Sequence, residues 1–429
     1  MPYGGTPVPH FTSIKHAELE FRDTSYKCGI GVPRYHKMRV YFDNAATTPI
    51  APEVIEAMSH AMRTLYGNPS SIHADGRAVR TAIEDARKTV AKCVQAGIGE
   101  IFFTSGGTES NNMILKNAVR DLGVKRIITS PIEHHCVLHT LEALKKTSNI
   151  QVDFVEIDEK GRINLENLRA LLSKNSSDSD ATPPQSNGKI LVSLMHSNNE
   201  IGTMIDLDAV SKICEEYNAF FHSDTVQTMG YFPIDVQKTK IHFLTGAAHK
   251  FHGPKGVGFV YINSDVTLHP FIDGGSQERN MRGGTENTAG IIGLALALKM
   301  AYEDMYDRED EIIGIRNYLK NRLLDTFEDI QFIGDSEGAY HYKVLNVSFP
   351  SSKKSELLLF NLDIAGISAS GGSACSSGAE GGSHVLDALD IDPSRKCIRF
   401  SFSHYNTLDE ADYVIEKMKK MIKIKRTFE

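Results

Sequence analysis

The chain has 429 residues, 41% of them hydrophobic and 24% charged, which is enough for two domains around an ample core and typical of a globular protein. A net charge of −7 and a pI near 6.2 argue against electrostatic binding to nucleic acid, since the one basic stretch is the short tail 419–426. No apolar run is long enough to cross a bilayer, and Cys28, Cys93, Cys136, Cys214, Cys375 and Cys397 show no CxxC spacing, so reduced thiols and a cytoplasmic protein are expected.

Residues 1–38 are rich in Pro, Gly, His and Tyr and carry no sustained period. Glu18, Glu20 and Asp23 interrupt them, unlike a transit peptide, so they read as a leader or a poorly ordered arm. A short strand over 40–44 leads to a helix beginning near Pro52, with Glu53 and Glu56 favourably placed in its first turns. After a break at 67–71, Val79, Ile83, Ala86 and Val90 set a helical period within 76–93. The strand 100–104 runs straight into Ser105, Gly106, Gly107, Thr108, Glu109 and Ser110, and then into a helix expected over 111–122. Backbone N–H groups at such a turn can hold a phosphate, with Thr108 adding a hydroxyl. A tight connection in which the glycines only satisfy backbone geometry fits the same residues.

Strands and helices then alternate: strand 126–129, helix 133–146, strand 151–157, helix 165–172, strand 189–195, helix 207–217, strands 219–223 and 241–245. This pattern predicts an α/β fold with a mainly parallel sheet covered on both faces. The polar run 173–188 reads as an inserted solvated loop without a catalytic role. Asp224 closes one apolar strand, and the small residues around Ala247 deliver His249 and Lys250 from the next. An aldehyde cofactor of the pyridoxal phosphate kind needs such a lysine and carboxylate, one to hold it as a Schiff base and one to keep its pyridine nitrogen protonated. An ordinary capping carboxylate and a surface lysine are the bland alternative.

A strand over 255–262, a polar glycine-containing loop over 274–285 and a long helix from Ala289 toward Phe327 follow. Strands near 342–349 and 398–402 and helices near 354–361 and 408–421 suggest a second, smaller layer. The expected division is a leader 1–38, a large domain 52–305, and a small domain made of 39–51 with 306–429.

His134, His135 and Cys136 are zinc-type donors, but neighbours at a helix start diverge; an imidazole there could instead lie over a pyridine ring and shuttle protons. His196 and His222 read as packing or hydrogen-bonding groups. Cys375 stands among small residues between Ser368 and Ser383, where a thiol could travel as a nucleophile or be incidental. Arg399, alternating with apolar neighbours, could grip a substrate carboxylate or form a structural ion pair.

The ordered set of motifs at 41–49, 67–71, 103–110, 133–134, 196–202, 222–227, 249–256, 281–285 and 372–375 resembles the NifS/IscS cysteine desulfurases, class V pyridoxal phosphate enzymes of the aspartate aminotransferase fold (fold type I), over about 39–420. The resemblance implies that Lys250 binds the cofactor covalently and Asp224 pairs with its ring nitrogen, with His134 stacked on the ring and Gln227 on the ring hydroxyl. It places Gly107, Thr108 and His249 on the phosphate, joined by Thr285 from the partner subunit of a homodimer. Asn198 and Arg399 would bind the carboxylate of L-cysteine. Cys375 would take the sulfur as a persulfide and release alanine, with an iron–sulfur scaffold or another sulfur acceptor as partner and Cys375 as a transient cluster ligand. Where the family usually has a serine in the phosphate cup, this chain has Ala247, which removes one hydroxyl contact. A selenocysteine lyase or another β-eliminating pyridoxal enzyme is the alternative; no metal and no direct nucleic-acid or membrane partner are expected.

Overall fold

The computed structural model describes residues 38–174, 189–352, 355–371 and 382–425. Cys375, the leader to residue 37 and most of the 173–188 insertion lie outside the described residues.

After a two-residue strand β1 (Val40–Tyr41) come the strands of the main sheet: β2 (Ile101–Thr104), β3 (Val124–Thr129), β4 (Gln151–Phe154), β5 (Lys189–Ser193), β6 (Phe220–Asp224), β7 (Phe243–Ala247) and β8 (Gly258–Ile262). Their spatial order is β2-β8-β7-β6-β5-β3-β4. The neighbours from β4 through β3, β5 and β6 to β7 are parallel, whereas β8 is antiparallel to both β7 and β2. The mainly parallel sheet read from the alternation is therefore present, with β8 reversed.

Successive strand residues point to opposite faces. Ile127, Leu191, Phe243 and Val260 join one core with Met113, Leu115, Val137 and Leu141, from helices α3 (Gly107–Asp121) and α4 (His135–Ser148). Their neighbours Ile128, Val192, Leu244 and Phe259 join the opposite core with Val79, Val90, Val210 and Leu294. Those last come from α2 (Ala74–Cys93), α6 (Leu207–Glu216) and α8 (Thr288–Glu303); α1 (Pro52–Thr64) and α5 (Leu165–Ser173) also contribute to that core. Burial on both faces explains why these strands read as continuous apolar runs.

Local chemistry sets several ends. Asn164, Asp206 and Asn287 each cap a helix by accepting a backbone N–H, at α5, α6 and α8. The long helix expected from Ala289 is two, α8 and α9 (Met305–Thr326), which meet at Asp304. The segment α7 (Gln277–Asn280) is a turn: Glu278, Arg279 and Asn280 have φ of 43°, 55° and 64°.

Toward the C-terminus, β9 (Gln331–Ile333), β10 (Val344–Phe349) and β12 (Lys396–Ser401) form an antiparallel sheet in the order β12-β10-β9. Helix α10 (Leu358–Ile364) starts later than the pattern suggested, and the short β11 (Ile367–Ser368) pairs in parallel with β1. Helices α11 (His384–Ala388) and α12 (Leu408–Met418) complete the chain, with α12 packed against α9. The described residues from Arg39 onward form one compact unit, and no helix among the described residues is long and apolar enough to cross a membrane.

Candidate active site

The register of β6 and β7 pairs Asp224 with Thr245, so both strands release their chains at the same edge of the sheet. Beyond β7 a single 3-10 turn, Ala248–Lys250, turns the lysine back over that edge. Helix α3 begins there too, four residues earlier than its apolar period suggested. Two glycines allow it to come so close. A Cβ on Gly258 would lie 2.5 Å from the Gly246 carbonyl oxygen and 2.7 Å from the Gly106 Cα, and one on Gly107 would lie 2.7 Å from Val226 Cγ2.

The result is a cavity of about 270 Å³. Gly107, Thr108, Asn111, His134, Cys136 and Asp224 line one part of it, and Gln227, Ala247, His249, Lys250 and Arg399 another. The Lys250 ammonium donates to the carbonyls of Ala45 and Ala46, both at 2.8 Å. Asp224 is buried; its Oδ1 accepts from the Val226 N–H at 3.0 Å and its Oδ2 from Asn111 Nδ2 at 2.7 Å.

His134 caps α4: its Nδ1 accepts the Cys136 N–H at 3.1 Å and sits 2.9 Å from the Cys136 thiol. That capping bond leaves Nε2 as the nitrogen that carries the proton of the neutral ring. Burial, and beyond it the charges of Lys250, His135 and His384, lower the His134 pKa against the pull of Asp224. Cys136 is pushed up to about 12, mainly by burial and then by Asp224, so it remains a protonated thiol. His249, whose Nδ1 lies 3.2 Å from Thr47 Oγ1, is held down to about 3 by burial and by Lys250 and Lys255.

Arg399 reaches the cavity from β12 and is 1% exposed. Its Nη2 donates to Asp43 Oδ1 and its Nη1 to the Asn199 carbonyl, both at 2.8 Å, so the structural ion pair is formed. Its Nε is buried without a partner, as is the Oε1 of Gln227, whose Nε2 donates to the Ala45 carbonyl at 3.0 Å. Orphaned polar atoms beside a cavity are a cost unless something fills it.

One expected site residue stands elsewhere. The Asn198 side chain accepts from the N–H groups of Glu200 and Ile201 in its own loop and donates to the Ile132 carbonyl at 2.8 Å; Asn199 lines the cavity instead. Thr285, expected to act in the site of a partner subunit, is exposed and does not line the cavity of its own chain. Asn111 and Asp43, which sequence reasoning did not single out, contact Asp224 and Arg399 directly. No group of three or more His, Cys, Asp or Glu among the described residues is arranged to hold a metal ion.

Residues 40–414 match the model of the class-V aminotransferases. The chain belongs to this family. A cysteine desulfurase IscS of Dictyoglomus turgidum is 40% identical over 91% of the chain and 96% of its own length. A solved NifS-like protein, 37% identical, superposes with a TM-score of 0.79 over 89% of this chain and 98% of that one. A structure described as SspA in complex with cysteine is 29% identical, with a TM-score of 0.71 over 86% and 100%. Class-V aminotransferases are pyridoxal phosphate enzymes, and the residues of this cavity fit that cofactor. An amine and a carboxylate stand on adjacent strand ends, a side chain at 107 would collide with Val226, and Gln227 offers an unpaired polar atom.

Proposed function

We propose that this chain is a homodimeric, cytoplasmic cysteine desulfurase. In the overall reaction L-cysteine and the Cys375 thiol become L-alanine and a Cys375 persulfide: the substrate C–S bond breaks, an S–S bond to Cys375 forms, and the carbon keeps the electron pair and is protonated. The sulfur then passes to an iron–sulfur scaffold or to tRNA thiolation. Names of relatives and the convergence of Lys250, Asp224, His134 and Arg399 on one cavity support this reading; that convergence is the observation that carries it.

Lys250, Asp224, Gln227, Gly107, Thr108 and His249 would hold pyridoxal phosphate, which supplies an aldehyde that condenses with amines and a ring that withdraws electrons from the substrate Cα. Lys250 is kept at the cavity by the two alanine carbonyls. Arg399 has its two terminal nitrogens fixed by Asp43 and Asn199, which leaves Nε for an anionic group such as the cysteine carboxylate. His134 can hold or release a proton only at Nε2, because Nδ1 caps α4. Cys136, the described thiol in the cavity, stays protonated and does not compete for sulfur. The role of Cys375 rests on the sequence motif. The large domain 52–305 would carry the cofactor and the small domain, 39–51 with 306–429, would bring Arg399 to it. Thr285 would complete the phosphate site of a second copy.

Incubation of the cofactor-loaded protein with L-cysteine should leave a one-sulfur mass increment on Cys375 and release alanine, both lost in Cys375→Ala. Alanine release undiminished in Cys375→Ala would contradict the assigned nucleophile, and retention of selenocysteine cleavage alone would favour a lyase.

A further inference from the structure

We infer that Asn111 is a positioning residue for the proposed reaction: it is the last donor of a one-way hydrogen-bond relay, Ser193 to His222 to Asn111 to Asp224, that fixes the carboxylate which would pair with the cofactor. The inference rests on the reading of the cavity as a pyridoxal phosphate site.

The direction of the relay follows from its members. Asn111, wholly buried, places one amide atom 2.7 Å from Asp224 Oδ2 and the other 3.1 Å from His222 Nε2. A carboxylate only accepts, so the amide NH2 faces Asp224 and its oxygen faces His222. His222 must then carry its proton on Nε2, and its Nδ1 accepts from the Ser193 hydroxyl at 2.9 Å. Burial holds His222 down to about 4, so near neutral pH it has a single N–H and the relay has one consistent orientation.

The second amide hydrogen is directed to Cys136 Sγ at 3.2 Å, the same thiol that lies against His134 Nδ1. One side chain therefore touches both the Asp224 carboxylate and the thiol that lies against His134. On the carboxylate, the Val226 N–H pins Oδ1 while Thr245 Oγ1 stands off at 3.4 Å, so Asn111 is the close donor that fixes Oδ2. Without it the carboxylate gains freedom to rotate, and His222 is left with an unaccepted N–H.

Asn111→Asp separates this role from mere packing. Its carboxyl would sit against Asp224, and two carboxyl groups at that distance share a proton. With the proton on residue 111 the relay is intact, O–H to Asp224 and C=O from His222. With the proton lost, two anions face each other. The expected result is near-normal kcat for Asn111→Asp at the acid end of the working range, falling about tenfold per pH unit once the shared proton is lost. Asn111→Ala should have a lowered kcat at every pH with KM for cysteine changed less than kcat.

In the cofactor-free protein, unfolding by urea should show Asn111→Asp losing stability relative to wild type as pH rises across that same range. This readout does not depend on the desulfurase reading. A stability difference independent of pH, or a wild-type pH profile of kcat in Asn111→Asp, would overturn the relay. A pH-dependent difference in stability without any cysteine turnover in wild type would instead keep the relay and overturn the proposed function.

Discussion

The turn 277–280 holds three consecutive non-glycine residues in the left-handed region, a conformation costing on the order of 1 kcal/mol or more for each. What offsets this is the Glu278 carboxylate, buried and gripped by Arg87 at 2.7 and 3.0 Å, which also accepts the Phe103 N–H at 2.7 Å. Arg87, 2% exposed, in turn donates to the Ile101 carbonyl and stacks on the Phe103 ring. Arg87→Met would leave Glu278 as an uncompensated buried charge, a loss of about 3–5 kcal/mol. Arg87→Met with Glu278→Leu removes both charges; the Ile101 carbonyl loses its donor in either variant, and the double variant adds the orphaned Phe103 N–H, about 1–3 kcal/mol. The chain has no tryptophan, so urea unfolding is followed by far-UV circular dichroism. A single variant within 1 kcal/mol of wild type, or a double variant less stable than the single, would refute the assignment of this pair as the clamp on the turn.

Glu133 is fully buried, and desolvation raises its pKa to about 8 despite hydrogen bonds from the Met195 N–H and Ser130 Oγ. Between about pH 5 and 8 the folded state keeps a proton the unfolded chain has lost, so this group makes stability fall as pH rises, by up to about 1.4 kcal/mol per unit. Glu133→Gln should match wild type near pH 5 and exceed it increasingly toward pH 8; parallel pH curves would contradict this. Ala247→Ser restores a hydroxyl at the cavity wall and should tighten pyridoxal phosphate binding about 2- to 12-fold, measured by equilibrium titration of the cofactor-free protein. Gly258→Ala should cost about 1–3 kcal/mol in urea unfolding, because the added carbon meets backbone at 2.5 and 2.7 Å.

Much of the fold was legible in the sequence because a doubly covered sheet leaves apolar strands of four to six residues separated by helical periods. The reversal of β8 was not, since strand direction leaves no mark on composition. Helix α3 was placed late because its first turn, from Gly107 to Ser110, is polar; Gly107 and Thr108 line the cavity, and Ser110 is buried on a hydrogen bond to the Phe259 carbonyl. Lys250 and Asp224 were found because they end apolar strands. Asn111 and Asp43 act by touching those residues across the fold, and a lone Asn or Asp carries no local signal of such a contact. Asn198 and Asn199 are adjacent and chemically identical, so only the turn, in which Asn198 caps the N–H groups of Glu200 and Ile201, separates the buried support from the cavity wall.

The most direct measurement is alanine formed from L-cysteine by purified wild type and Lys250→Ala, each supplied with pyridoxal phosphate. Wild type should release alanine and show the visible absorption of a lysine-bound cofactor, and Lys250→Ala should show neither. Equal alanine release by the two proteins, or none from cofactor-loaded wild type, would contradict the central claim that Lys250 holds the cofactor that activates cysteine.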